Sequence, residues 1–201
     1  MLQLHRKFIV LLLLGVVPAA SAQFKEPGRK PVYETEILPV VESSLQRMWE
    51  SADAVAEVRI DASTAKAIAR PAFHGREQLP SIRTLHTSTV LRVLKGNLKP
   101  GSTLSFSQQA GEVELADRII RVSGPPPLAA QQRYVVFLRR QPPSAGDEWG
   151  LLGERDGAFK LHDGRVAPQG FGRVAQEHAN LRESAFNDEL QRVAERTRPK
   201  Y

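Results

Sequence analysis

The chain contains no cysteine among its 201 residues. Disulfides, thiolate metal ligands, thiol nucleophiles and haem attached through cysteine are therefore excluded. Long apolar runs are also scarce, because beyond residue 22 no stretch approaches the roughly 20 apolar residues of a membrane-spanning helix. We expect a soluble mature protein with no membrane span, stabilised by an apolar core of its own.

Residues 1–22 have the three parts of a secretory signal. The basic pair Arg6 and Lys7 precedes an apolar run over residues 8–17, and small residues stand at 20–22. This order predicts a signal peptide cleaved after Ala22. No cysteine follows the cleavage site, so the pattern is not that of a lipoprotein. We expect export to the periplasm or the medium.

The formal net charge of +6 is modest and the basic residues are spread along the chain. No Lys/Arg block and no aromatic-basic motif points to nucleic acid. A weak attraction to anionic components of the envelope is the functional alternative to an ordinary solvated surface.

Several catalytic and metal-binding motifs are missing. Neither the Gly-x-Ser-x-Gly of elbow-type serine hydrolases nor the His-Glu-x-x-His of zinc hydrolases occurs. The four histidines beyond the signal have no metal-binding spacing: His74, His86, His162 and His178. We therefore expect no metal and no cofactor.

Two pairs of acids could still be invoked as general acid and base. They are Asp156 with Asp163, and Glu112 with Glu114. Such pairs arise by chance in a chain with 22 acidic residues, so they support only an alternative hypothesis.

The chain should begin with a flexible segment over residues 23–41, which has Pro and Gly but no periodicity. A short helix should follow, with Ser43 and Gln46 as a capping box. Leu45, Met48 and Trp49 share one helical face and should pack on the core.

Short strands dominate the centre of the chain. Alternating or apolar runs predict strands over residues 54–60, 85–94, 103–107, 118–122, 133–139, 149–152, 158–162 and 165–167. The run at 133–139 is apolar throughout its middle and should be covered on both faces. Asp163 and Gly164 should form a two-residue hairpin turn, whereas Gly111 and Glu112 mark a break.

Residues 61–82 lack strand alternation and predict a long connection, with a helical turn near 64–69. Long loops are often functional. The candidate partner-binding loop carries a mixture suited to an anionic or protein partner: Arg70, Phe73, His74, Arg76 and Arg83. A variable, solvated loop is the alternative.

From Arg173 the apolar period becomes helical, and the helix should end at residues 198–199. One stripe contains Val174 and His178, and a second stripe, offset by one residue, contains Phe186 and Leu190. The offset predicts a break near Asn187.

The segment VLKGNLKPGST at 93–103, followed by RYVVFL at 133–138, resembles a loose group of secreted, mostly uncharacterised proteins with an OB-like barrel. That barrel is similar in pattern to the netrin and tissue-inhibitor-of-metalloproteinase modules. The resemblance covers roughly residues 42–167 and implies a mainly β, antiparallel OB-like barrel with a short N-terminal and a C-terminal helix. Those inhibitors reach the zinc of their target through an N-terminal cysteine, which this chain lacks.

The expected organisation is a signal peptide (1–22), a flexible segment (23–41), an OB-like barrel domain (42–170) and a C-terminal helical segment (171–201). The leading hypothesis is an exported, non-enzymatic binding module for an unknown protein or an anionic envelope component. One alternative is an envelope hydrolase with an unrecognised carboxylate site. Another is an assembly factor that docks through an exposed stripe of its C-terminal helix at Leu181, Phe186 and Leu190.

Overall fold

The fold is taken from a computed structural model, which describes residues 30–35, 42, 44–70, 72, 74–76, 78–123, 126–141, 149–154 and 156–198. The expected signal peptide, Ser43 and Phe73 lie outside these ranges. None of the helices in the described ranges is long and apolar enough to cross a bilayer.

The structure is mainly β, with ten strands and three helices in the described ranges. In chain order they are β1 (Val32–Thr35), α1 (Leu45–Ser51), β2 (Ala54–Ile68), β3 (Ser81–Lys95), β4 (Thr103–Gln108), β5 (Glu112–Glu114), β6 (Ile119–Val122), β7 (Arg133–Arg140), β8 (Trp149–Leu151), β9 (Ala158–His162), β10 (Arg165–Pro168), α2 (Arg173–His178) and α3 (Glu183–Arg196).

The strands form a large sheet and a small sheet. The large sheet has the order β10-β9-β7-β2-β3-β4-β8, and β8 also pairs with β7. The small sheet has the order β1-β6-β5. Most pairs are antiparallel, as predicted, but β1 with β6 and β4 with β8 are parallel.

Two apolar cores lie on opposite faces of strand β7. Tyr134, Val136 and Leu138 belong to the core that the large sheet curls around, together with Phe106 of β4. Val135 and Phe137 belong to a second core, between the sheet and the three helices. Because both faces are covered, the strand is apolar without alternation, which confirms the prediction for this segment.

A third, smaller cluster joins the two sheets. Ile120 and Val122 of β6 pack with Ile82 of β3, and the half-buried Ala65 of β2 lies against them. The small sheet therefore sits on the outer half of the hairpin formed by β2 and β3.

The predicted connection over residues 61–82 is wrong in its first part. Strand β2 continues to Ile68 and pairs with β3 as far as Ser81, so the loop spans only residues 69–80 and there is no helical turn. The outer half of β2 pairs with β3 alone, since β7 stops at Arg59. Its side chains are mostly exposed on both faces, so no apolar alternation is required there.

Two short strands were also missed. Part of the predicted flexible segment forms β1, which runs parallel to β6. Glu112, predicted to mark a break, begins β5. Both strands are only a few residues long and largely exposed, so their sequences carry no periodic signal.

The helices differ from prediction in detail. The N-cap of α1 is Ser44, whose Oγ accepts from the backbone N–H of Arg47 at 3.2 Å. The C-terminal break falls between α2 and α3, whereas Asn187 lies inside α3. Residues 180–182 leave the helix because they pair with β10: the N–H of Val166 donates to Leu181 O at 2.9 Å.

Candidate binding surface

The three helices cover only one side of the large sheet. Their core takes apolar side chains from β2, β7, β9 and β10, whereas β3 contributes only the half-buried Leu94. The outward side chains of β4, Thr103 and Ser105, are exposed. The outer face of β3 and β4 and the loop at residues 69–80 are therefore the parts of the barrel wall that no described helix covers.

Two cations face each other at the end of this surface. Lys66 and Arg83 are direct cross-strand partners in the β2–β3 ladder, so their side chains project from the same face. Like charges in that position are destabilising. The segment 62–83 contains four basic residues and one acid, a formal charge of +3. We call Lys66, Arg70, Arg76 and Arg83 the basic cluster.

The predicted site residues are only partly brought together. Arg70, His74 and Arg76 are exposed in the loop or at its start, whereas Arg83 lies within β3. Arg70 lines a hollow of about 380 Å³ between the base of the loop and the turn from β5 to β6. Arg83 is not in its lining, since its Nη1 donates instead to Ser107 Oγ at 3.4 Å.

Charge neutralisation differs within the basic cluster. Arg83 lies close enough to Glu154 to lower the pKa of that carboxyl, although burial dominates and the pKa of Glu154 is raised overall. Lys66, Arg70 and Arg76 have no acidic partner among the residues that the structure describes. Three of the four cations thus face solvent.

A groove of about 690 Å³ runs beside β4 on the uncovered side. One wall consists of Thr103, Leu104 and Ser105, and the other includes Asp53 and Arg140. Asp53 Oδ2 accepts from the backbone N–H of Arg140 at 2.8 Å. The guanidinium of Arg140 lies 4.9 Å from the ring centroid of Trp149, which fixes this wall by a cation–π contact.

The interior of the barrel contains a polar stripe that sequence reasoning missed. Thr84, His86 and Ser88 are all buried at alternate, inward positions of β3. Thr84 and Ser88 donate to backbone carbonyl oxygens at 2.8 and 3.0 Å. The available signal was the row of polar residues at every second position of a predicted strand, where apolar residues are usual.

His86 is fully buried and sits between two polar side chains. Its Nδ1 lies 2.8 Å from Ser63 Oγ, and its Nε2 lies 3.0 Å from the amide of Gln108. Burial lowers the pKa of His86 to about 4, with the contact to Gln108 opposing the shift. The ring is therefore neutral at pH 7.

The contact between Ser63 and His86 is the geometry that a serine hydrolase needs, but the hydrogen bonds are arranged against it. Ser63 Oγ donates to Leu128 O at 3.1 Å. A hydroxyl has one hydrogen, so Nδ1 of His86 must donate to Ser63. Nε2 of the neutral ring then needs a donor, and rotating the amide of Gln108 supplies its Nε2, a buried group without another partner among the described residues. Ser63 is thus not activated as a nucleophile.

The two acid pairs of the hydrolase alternative do not converge. Asp156 is buried, whereas the side chain of Asp163 is 84% exposed in the β9–β10 turn. Glu112 pairs with Arg121 and Glu114 pairs with Lys30, at 2.6 and 2.7 Å. In the described part of the chain, neither pair forms a site with an acid and a base facing each other.

The assembly-factor alternative depends on an exposed apolar stripe near the C-terminus. Phe186 and Leu190 are buried against the sheet, with exposures of 0% and 1%, and Leu181 is half-buried. The predicted docking stripe is therefore part of the helix-side core.

Comparison with known proteins gives no relative. No family model matches the chain, and a search of the curated proteins finds no significant match. The functional argument therefore rests on the residues of this surface and their geometry.

Proposed function

We propose that the chain is an exported, non-enzymatic binding module that holds an anionic envelope component at the basic cluster. The observation that carries the proposal is the pairing of Lys66 with Arg83 in the ladder, next to the exposed Arg70 and Arg76. Clustered cations without acidic partners cost stability through mutual repulsion, and a bound anion would remove that cost.

The strand pairings support an OB-like barrel as the frame of this module. Strands β2, β3, β4, β8 and β7 pair successively, and β7 pairs again with β2, which gives a circuit of five strands. OB-like barrels bind ligands on the face of their second and third strands and with the loop between the first two. In this chain those features correspond to β3, β4 and the loop at 69–80, as the resemblance to the netrin and tissue-inhibitor modules implies.

Export is the second part of the proposal and rests on the N-terminal sequence. The basic pair, apolar run and small residues before Gln23 are typical of a cleaved secretory signal. Mass spectrometry of the protein from its native host should find a mature N-terminus at Gln23. A protein that retains Met1 in the cytosol would contradict this part.

Binding to envelope fractions and to polygalacturonate tests the first part. We expect the double variant Arg70→Glu with Arg76→Glu to bind at least about tenfold more weakly than wild type, with a weaker salt dependence. The matched control is Lys99→Glu with Arg139→Glu, which makes the same change in net charge at exposed residues elsewhere. Equal losses in both variants would show a general charge effect and contradict the proposed site.

A further inference from the structure

Strand β4 is incompletely paired on one side. It pairs with β3 along its whole length, from Thr103 to Gln108. On the other side, within the described ranges, its contact with β8 is limited to the pair Ser107 and Gly150. The first half of β4 therefore has one edge without a neighbouring strand in that part of the chain.

The register identifies which backbone groups lie on this edge. In a strand, the N–H and C=O of alternate residues point to the same side. Ser102 O accepts from Val90 N–H at 3.0 Å, so the even-numbered residues of this segment face β3. Ser107 faces β8. Thr103 and Ser105 therefore direct their N–H and C=O groups away from β3, two donors and two acceptors in all.

The open edge borders the groove described above. Thr103, Leu104 and Ser105 line one wall of its 690 Å³. The side chains of Thr103 and Ser105 are exposed on the outer face, whereas Leu104 points inward. A chain laid along this wall would meet hydroxyls on one face and apolar atoms on the other.

Protection against edge pairing is missing from β4 itself. Edge strands in proteins usually carry lysine, proline or an inward charge, which prevents another strand from pairing there. The sequence of β4, TLSFSQ, has no charged residue and no proline. An edge without these features is suited to accept a strand.

We propose that an extended peptide segment of a partner protein adds as a strand to β4 at Thr103 and Ser105. Backbone donors and acceptors at strand spacing are matched by another strand, which is the basis of recognition by strand addition. The segment would alternate Thr or Ser, placed beside the two hydroxyls, with Val or Ile toward Leu104. The site is separate from the basic cluster, so the proposal does not depend on the anion-binding function.

A terminally blocked peptide of alternating Thr and Val, with a lysine at each end for solubility, is the probe. Two N-methylated versions complete the set, one methylated on the Thr amides and one on the Val amides. Strand addition uses one edge of the peptide, so we expect one version to lose at least about tenfold in affinity and the other to bind like the parent. Equal behaviour of the two versions in titration calorimetry would overturn the proposal.

Proline substitution tests the protein side of the interface. Ser105→Pro removes an edge N–H that β3 does not use, and proline is tolerated on edge strands. We expect Ser105→Pro to weaken peptide binding at least about tenfold, whereas Ser105→Ala, which keeps the N–H, binds like wild type. Thermal unfolding checks that both variants fold, and Thr103→Pro replaces Ser105→Pro if that variant does not.

Other occupants of the edge give distinct results. A wild-type protein that does not bind the peptide overturns the proposal, and so does Ser105→Pro binding like wild type. A concentration-dependent dimer that Ser105→Pro abolishes would identify a second copy of the chain as the occupant instead. The double variant Arg70→Glu with Arg76→Glu should bind the peptide normally, so failure of the anion proposal remains distinguishable.

Discussion

Glu57 Oε1 accepts hydrogen bonds from both Nε and Nη2 of Arg133, at 3.0 and 2.7 Å. The same Nη2 also donates to Glu183 Oε1 at 2.7 Å, so one guanidinium joins β2, β7 and the first turn of α3. Glu57 is only 7% exposed, and Arg92 approaches its second oxygen at 3.4 Å. This network anchors α3 to the sheet.

Arg133→Met should lower the free energy of unfolding by about 2 kcal/mol, because the buried carboxylate of Glu57 keeps only the longer contact with Arg92. Adding Glu57→Leu should recover part of the loss, since it removes the buried charge. Urea unfolding measures both changes. Arg59→Met, which breaks an exposed ion pair with Asp61, is the control and should cost about 0.5 kcal/mol. Equal costs for Arg133→Met and the control would contradict the anchoring role.

His86 should make stability depend on pH in the acid range. Its folded-state pKa of about 4 lies below the ordinary value of 6.5, so the unfolded chain takes up the proton first. Stability from this group is complete above pH 6.5 and is lost as the pH falls toward 4, by about 2 kcal/mol at pH 5. His86→Gln should flatten the difference in unfolding free energy between pH 7 and pH 5. The same slope in the variant would show that other groups cause it.

Gly96 allows the β3–β4 hairpin to approach the start of β2. Its φ is +89°, and a Cβ placed there would lie 2.8 Å from the carbonyl oxygen of Asp53. Gly96→Ala should therefore cost about 3 kcal/mol, from left-handed strain and the backbone contact together. Gly101→Ala is the matched control, with a φ of +80° but no atom within 4 Å of the added Cβ. It should cost about 1 kcal/mol, and similar losses of melting temperature in both variants would contradict the close approach.

Ser63 should be chemically inert despite its contact with His86. Its hydroxyl donates to Leu128 O, so it should not react with a fluorophosphonate probe at neutral pH. Mass spectrometry of the treated protein checks this, with a known serine hydrolase as the positive control. Labelling of Ser63 that His86→Gln abolishes would revive the hydrolase alternative.

The sequence was informative wherever burial imposes a pattern. The apolar run of β7 indicated a strand covered on both faces, and the positions of Leu45, Met48 and Trp49 indicated the buried side of α1. The two-residue turn at Asp163 and Gly164 was also confirmed, with φ values of +50° and +69°. In each case a local rule and the final environment agree.

The remaining features depend on contacts that are remote in sequence. The outer half of β2 is a strand because of its ladder with β3, and its exposed side chains show no periodicity. That extension is why Arg83 lies on a strand rather than in the predicted loop. The helix break at residues 179–182 follows from pairing with β10. The opposition of Lys66 and Arg83 needed the register, which no local pattern contains.

The position of β7 between two cores gives the protein two built-in fluorescent reporters. Trp49 belongs to the helix-side core and Trp149 to the core inside the barrel, and the chain has no other tryptophan. Since β7 supplies one face to each core, neither should melt without the other. The emission of Trp49→Phe and of Trp149→Phe should therefore change at a midpoint that coincides, in each variant, with its loss of far-UV circular dichroism. A tryptophan signal that departs from the circular dichroism would show that the helices detach from the sheet as an independent unit.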